Sequence, residues 1–220
     1  PLEEGIDFGK HHPCILWRQR TPYGGVHYLG GIMGQNVYLE DFLPILLSYR
    51  AQWFPNATDI VTCCDPAGSH DNSQGVRLTG VSVLQSHGLR PRWQEGANRP
   101  SVRVAIMERI AGQMRRRTPM GEAYGINRDP QRWLRVVADG RPPATWTFLA
   151  DGDEAGYVWD PHMVSEGSKQ YRRAKKDGWY EHGQNAKEYL ELNFGSAPIV
   201  QKVATVHDTV PYAGVASPWR

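Results

Sequence analysis

Only three cysteines occur in the 220 residues, Cys14, Cys63 and Cys64. They form no C-x-x-C pair and are too few for a disulfide framework, so they are expected to be reduced core thiols in a cytosolic protein. His11 and His12 lie close to Cys14, but the spacing fits no usual zinc site. No apolar run reaches the length that crosses a bilayer, and no signal-peptide pattern opens the chain. Internal repeats and a Walker A loop are also missing, which excludes a P-loop ATPase within these residues. Charge of one sign is lacking too. There are 25 Lys and Arg against 23 Asp and Glu, for a formal net charge of +2. A nucleic-acid partner therefore has to be argued from local clusters.

What is present is enough for one well-cored domain. Eight tryptophans and ten tyrosines supply large apolar surfaces. Apolar alternation predicts strands over 4–9, 13–19 and 24–33, the last two joined by a Pro-Tyr-Gly-Gly turn. "LEDFLPILLSYRAQWF" has helical spacing, acids in its first turn and Pro44 near its start. "TDIVTCCDPAG" reads as a buried, parallel strand stopped by Asp65 and Pro66. A short helix is expected within 75–87 and a short strand at "LRPRWQ". "PSVRVAIMERIAGQM" predicts a helix whose inner face carries Ile106, Met107, Ile110, Ala111 and Met114. Short strands are expected at "RWLRVV", "TWTFLA" and "GYVWD". A last helix, "EHGQNAKEYLELNFG", turns His182, Ala186, Tyr189, Leu190 and Asn193 inward and stops at Gly195. Three antiparallel strands followed by alternating helices and strands imply a mixed α/β sheet flanked by helices. We expect a domain over 1–195 and a C-terminal extension over 196–220. The chain starts at Pro1 with a strand almost at once, so a further N-terminal part is expected in the parent protein.

The question the first strand raises is why Asp7 lies in its middle. Asp is a poor strand residue, and burying its carboxylate costs several kcal/mol unless something compensates. Asp65 ends the buried strand, and Glu181 stands at the start of the last helix. Ligands bind at the carboxyl edge of parallel strands in such folds. Carboxylates converging there raise one another's pKa unless cations bind between them. Hard divalent ions take oxygen ligands, and Mg²⁺ uses one or two carboxylates plus substrate phosphates. Each acid alone also has a plain structural reading. Asp7 is then a hydrogen-bonded core aspartate, Asp65-Pro66-Ala67-Gly68 a turn, and Glu181 an acid suited to a helix N-terminus.

Taken together, "GIDFGKHHP", "CCDPAG…NSQG", "AGYVWD" and "KKDGWYEHGQNAKEYLELNFG" resemble the ribonuclease H-like nucleases. Within that superfamily they are most similar to the C-terminal nuclease domain of the large terminase subunit of tailed bacteriophages. The resemblance runs from Gly5 to about Gly195. It implies two divalent metals, Mg²⁺ or Mn²⁺, held by Asp7, Asp65 and Glu181, and metal-dependent hydrolysis of double-stranded DNA with little sequence preference. Glu181 replaces the family's usual Asp, and Asn185 stands where some relatives carry another Asp; it would offer a neutral oxygen. His182 would orient a carboxylate or contact the scissile phosphate. The resemblance also implies an ATPase domain in the parent chain, a small terminase subunit and a portal as partners, and action in the host cytoplasm at the procapsid. A junction resolvase or transposase of the same fold, or a docking module with weak cleavage, are the alternatives.

"SKQYRRAKKDGWY" places Lys169, Arg172, Arg173, Lys175 and Lys176 among Tyr171, Trp179 and Tyr180, immediately before Glu181. That mixture suits a nucleic-acid backbone, and Lys10, just past the first strand, could join it. The same runs also read as solvated surface. Arg115 to Arg117 follow a helix C-terminus, where cations suit the dipole, and are taken as structural.

Overall fold

The computed structural model describes residues 1–69, 79–118, 121–145, 176 and 178–195. The chain opens with β1 (Leu2–Asp7), β2 (Cys14–Arg20) and β3 (Val26–Gln35), followed by α1 (Leu39–Trp53) and β4 (Ile60–Cys64). A single 3₁₀ turn, Pro66–Ser69, leads toward α2 (Gly80–Ser86) and α3 (Pro100–Arg115). Short strands β5 (Arg117–Thr118), β6 (Gly121–Glu122) and β7 (Tyr124–Ile126) precede β8 (Trp133–Val137) and β9 (Ala144–Thr145). Helix α4 (Tyr180–Phe194) is the last described element.

The main sheet runs β4-β1-β2-β3-β8-β9, with β7 also paired to β3. β1, β2 and β3 are antiparallel neighbours; β4 is parallel to β1, and β7 and β8 are parallel to β3. The expected mixed α/β architecture is therefore present. Because β3 reverses β2, the strands β1, β3, β4 and β8 all end at one edge.

The sheet separates two apolar layers, as the alternation of its strands requires. On one face Ile6, Ile15, Trp17 and Ile32 pack with Phe42, Leu43 and Leu46 of α1 and Leu84 of α2. On the other, Leu16, Tyr28, Met33 and Trp133 meet Ala186, Tyr189, Leu190 and Phe194 of α4. Helix α3 lies outside α4, its Val102, Ile106 and Ile110 packed against Leu192. This double cover explains why α4 is buried almost all round, including Gln184, Lys187, Glu188 and Glu191. A one-sided inner face, as its apolar spacing predicts, understates that burial.

Several boundaries differ from the sequence expectation. β1 spans 2–7 rather than 4–9, so Asp7 is its last residue and not its middle one. Met114, expected on the inner face of α3, is exposed. "LRPRWQ" contributes only a parallel bridge from Arg92 to Cys63 on the free side of β4. The helix expected within 75–87 forms over Gly80–Ser86, and Thr79 caps it by accepting from the Ser82 N–H. "GYVWD", most of "TWTFLA" and the tail from 196 lie outside the described residues. No described helix is long and apolar enough to cross a membrane.

Candidate acidic site at the carboxyl edge of the sheet

Gly5 sets the height of α4 over the sheet. A Cβ there would run into the Ala186 carbonyl oxygen and come within 2.5 Å of Leu190 Cγ, so the helix rests on β1 backbone. One helical turn before Ala186 the same face carries His182, and Asn185 lies beside it; both therefore stand over the end of β1.

Asp7 is 4% exposed. His182 Nδ1 lies 2.7 Å from its Oδ2, and the Asn185 amide nitrogen donates to Oδ1 at 3.4 Å. The loop after β1 wraps the imidazole so closely that a Cβ on Gly9 would sit 2.7 Å from Nδ1. His12 holds the other side. Its Nδ1 is 3.1 Å from the Gly34 carbonyl oxygen, and its ring is 6.0 Å from the His182 ring and 5.5 Å from that of Trp179.

The second acid follows from strand register. β1 and β4 are parallel and last paired at Ile6 and Cys64, so Asp7 and Asp65 are the next residues on adjacent strands. Neighbouring strands lie about 4.8 Å apart. Asp65 Oδ1 accepts from the Ala67 N–H at 2.8 Å and from the Asn98 amide at 2.8 Å. Asn98 in turn accepts from the Tyr189 hydroxyl at 3.3 Å. Burial pushes the Asp7 carboxyl up from its usual range. The His182 hydrogen bond and charge oppose that, Asp65 adds to it, and Arg103 opposes it. Burial, together with Asp7 and Asp65, holds the Tyr189 phenol well above its ordinary value, so it remains a donor.

Arg103 of α3 completes the cluster. Its guanidinium donates to the Asn185 side-chain oxygen, pairs with Glu188 at 2.5 Å, and lies 5.6 Å from the centre of the Tyr189 ring. Sequence reasoning does not single out Arg103 or Asn98. Arg103 is one polar residue in the first turn of an amphipathic helix, and Asn98 stands in a loop before a proline. Neither position carries a local signal of its own.

Of the residues expected at the site, Asp7, Asp65, His182 and Asn185 are brought together. Glu181 is turned differently: its Oε1 accepts the Gly178 N–H at 3.2 Å, across its own helix terminus. The Asn185 oxygen expected to face a cation is engaged by Arg103, and the amide nitrogen faces Asp7 instead. Among the described residues, no three His, Cys, Asp or Glu side chains form a metal-holding group. Lys10 and Lys176 are exposed, while Lys169, Arg172, Arg173 and Lys175 lie outside the described residues. The three cysteines are buried and free. Burial, with Asp65 nearby, pushes Cys64 up to about 12, so it stays a thiol at neutral pH.

The chemistry of the Asp7–Asp65 pair, two oxygen-donor carboxylates, is of the kind a hard divalent cation takes. Two carboxylates end adjacent strands, one is almost fully desolvated, and Asp65 Oδ2 accepts no hydrogen bond among the described residues. No family model, curated protein or solved structure matches the chain.

Proposed function

We propose that this chain is a divalent-metal-dependent endonuclease of the ribonuclease H-like type, cutting double-stranded DNA, and the nuclease part of a phage packaging terminase. The observation that carries the reading is Asp7 beside Asp65 at the ends of parallel strands, with His182 and Asn185 placed over Asp7 by α4. The order β3-β2-β1-β4, with Arg92 bridging the outer side of β4, supports the finer fold assignment.

On this reading Asp7 and Asp65 hold Mg²⁺ or Mn²⁺, with Glu181 as the third acid. Two such ions, held by Asp7, Asp65 and Glu181, would supply activation of a water and charge stabilisation for the leaving oxygen of a phosphodiester. The chain's own groups prepare that chemistry. The His182 Nδ1 hydrogen bond with Asp7 Oδ2 fixes the orientation of the imidazole. Asn98 and the Ala67 N–H occupy Asp65 Oδ1 and aim the other oxygen outward. Arg103 fixes Asn185 against Asp7. Burial of Asp7 disfavours its charged form unless a cation or hydrogen-bond donors offset the cost.

A docking module with weak cleavage is the second reading. It is favoured by Glu181 bonding to Gly178 and by the Asn185 oxygen bonding to Arg103, which leave two acids rather than three. Plasmid cleavage in Mn²⁺, Mg²⁺ or chelator separates the two. The nuclease reading expects metal-dependent nicking that falls on the order of 10³-fold in Asp7→Asn and drops in Glu181→Gln. Cleavage that survives Glu181→Gln would remove Glu181 from the ligand set. A folded chain that binds DNA but cuts it in neither metal would establish the docking module.

A further inference from the structure

A groove of about 300 Å³ opens beside Asp65, lined by Pro66, Ala67, Glu95, Gly96, Asn98 and Arg99. Two of its lining residues, Ala67 and Asn98, are the same groups that hold Asp65 Oδ1. The groove and the acidic site are therefore continuous. Its walls differ in chemistry. Pro66 and Ala67 are apolar. Glu95 accepts from the Trp93 indole at 3.1 Å. Arg99 is exposed, and its guanidinium makes no hydrogen bond or ion pair among the described residues. One turn further along α3, Arg103 is by contrast committed to Glu188 and Asn185.

We propose that this groove binds one sugar-phosphate unit of the substrate strand, with Arg99 contacting a phosphodiester next to the one that meets Asp65. The volume is at the low end of ligand pockets, roughly 300–1,000 Å³, which suits a single unit of a strand. The charges select the form of the anion. Asp65 and Glu95 repel a dianion, while one free guanidinium neutralises the single charge of a phosphodiester. Pro66 and Ala67 give the sugar an apolar face to rest on. The inference rests on the nuclease reading for its choice of nucleic acid as ligand.

The test is duplex binding by fluorescence anisotropy across a salt series in chelator, so that binding is read apart from cleavage. Wild type is compared with Arg99→Ala, Arg99→Lys and Arg128→Ala, the last removing an exposed arginine from the loop after β7. Loss of one phosphate contact lowers the salt slope by about 0.9 and weakens binding about fivefold near 0.15 M salt. Arg99→Ala is expected to do both and Arg99→Lys to restore most of the loss. Addition of the dinucleotide d(TpT) is expected to move the backbone amide signals of Ala67, Gly96 and Asn98 saturably. Equal losses in Arg99→Ala and Arg128→Ala, or d(TpT) shifts confined to other residues, would overturn the subsite. Cleavage by wild type with no Arg99 effect sinks the subsite alone. An Arg99 effect without cleavage in any metal leaves the subsite standing and sinks the nuclease reading.

Discussion

Strand β1 buries three acids, and its two ends treat them in opposite ways. At its start, Glu3 accepts from Arg18 at 2.7 Å and Arg20 at 2.8 Å. Glu4 accepts from the Trp17 indole at 3.0 Å, the Thr62 hydroxyl at 2.8 Å and Arg50 at 3.2 Å. Arg18 also pairs with Glu191 of α4 and donates to the Leu190 carbonyl at 3.0 Å, and Arg109 reaches Glu191 at 3.4 Å. Each carboxylate there meets at least one guanidinium. At the other end Asp7 meets a histidine, an amide and a second aspartate. Burial of an acid is thus no sign of function by itself. The identity of its partners separates a closed ion network from a site that still has charge to neutralise.

The largest effect expected on stability comes from breaking the closed network. Arg18→Ala leaves Glu3 and Glu191 buried without their shared cation and should cost about 3–5 kcal/mol in urea unfolding. A similar cost for Asp7→Ala would abolish the distinction between the two ends. Next is His182→Ala, expected to lower Mn²⁺ affinity, read by calorimetry, by about 10–100-fold with little change in unfolding. A variant that unfolds readily but keeps its metal affinity would make His182 a packing residue. Gly5→Ala should cost about 1–3 kcal/mol, since the helix must lift from β1, and nuclear magnetic resonance should show His182 displaced.

The smallest effect concerns pH. The Asp7 carboxyl is raised in the folded chain, foremost by burial, so its ionised form is disfavoured there. Below its unfolded value of 3.8 it is protonated in both states and the penalty is absent. The penalty grows as pH rises from there through the raised folded value, then stays constant. Asp7→Asn should therefore melt close to wild type in strong acid and above it at neutral pH. A difference of the opposite sign would place Asp7 among the stabilising acids.

The three first strands, α1, β4, α3 and α4 are legible in the sequence because each carries a clear apolar period bounded by Gly, Pro or Asp. Asp65 was legible as a strand terminator, and register then sets it beside Asp7. The Arg103–Asn185 contact and the Asn98–Asp65 contact were not legible, because each joins residues more than 30 positions apart whose side chains have no periodic signature. Lys187 and Glu191 look like the polar face of an ordinary amphipathic helix. The sheet and α3 together bury them, with Lys187 against Tyr28 of β3 and Tyr124 of β7, and Glu191 between Arg18 of β2 and Arg109 of α3.

By itself, the sequence determined the mixed order of strands and helices, because hydrophobic period is a local property of the chain. It also determined that Asp65 would end a buried strand; Asp7, expected in mid-strand, instead ends β1. Tertiary structure decided which acids meet. The close rest of α4 on Gly5 brought His182 and Asn185 to Asp7, and the same contact left Glu181 facing Gly178. Side-chain partnership depends on helix height and rotation over the sheet, quantities set by packing across the whole core and by no local stretch.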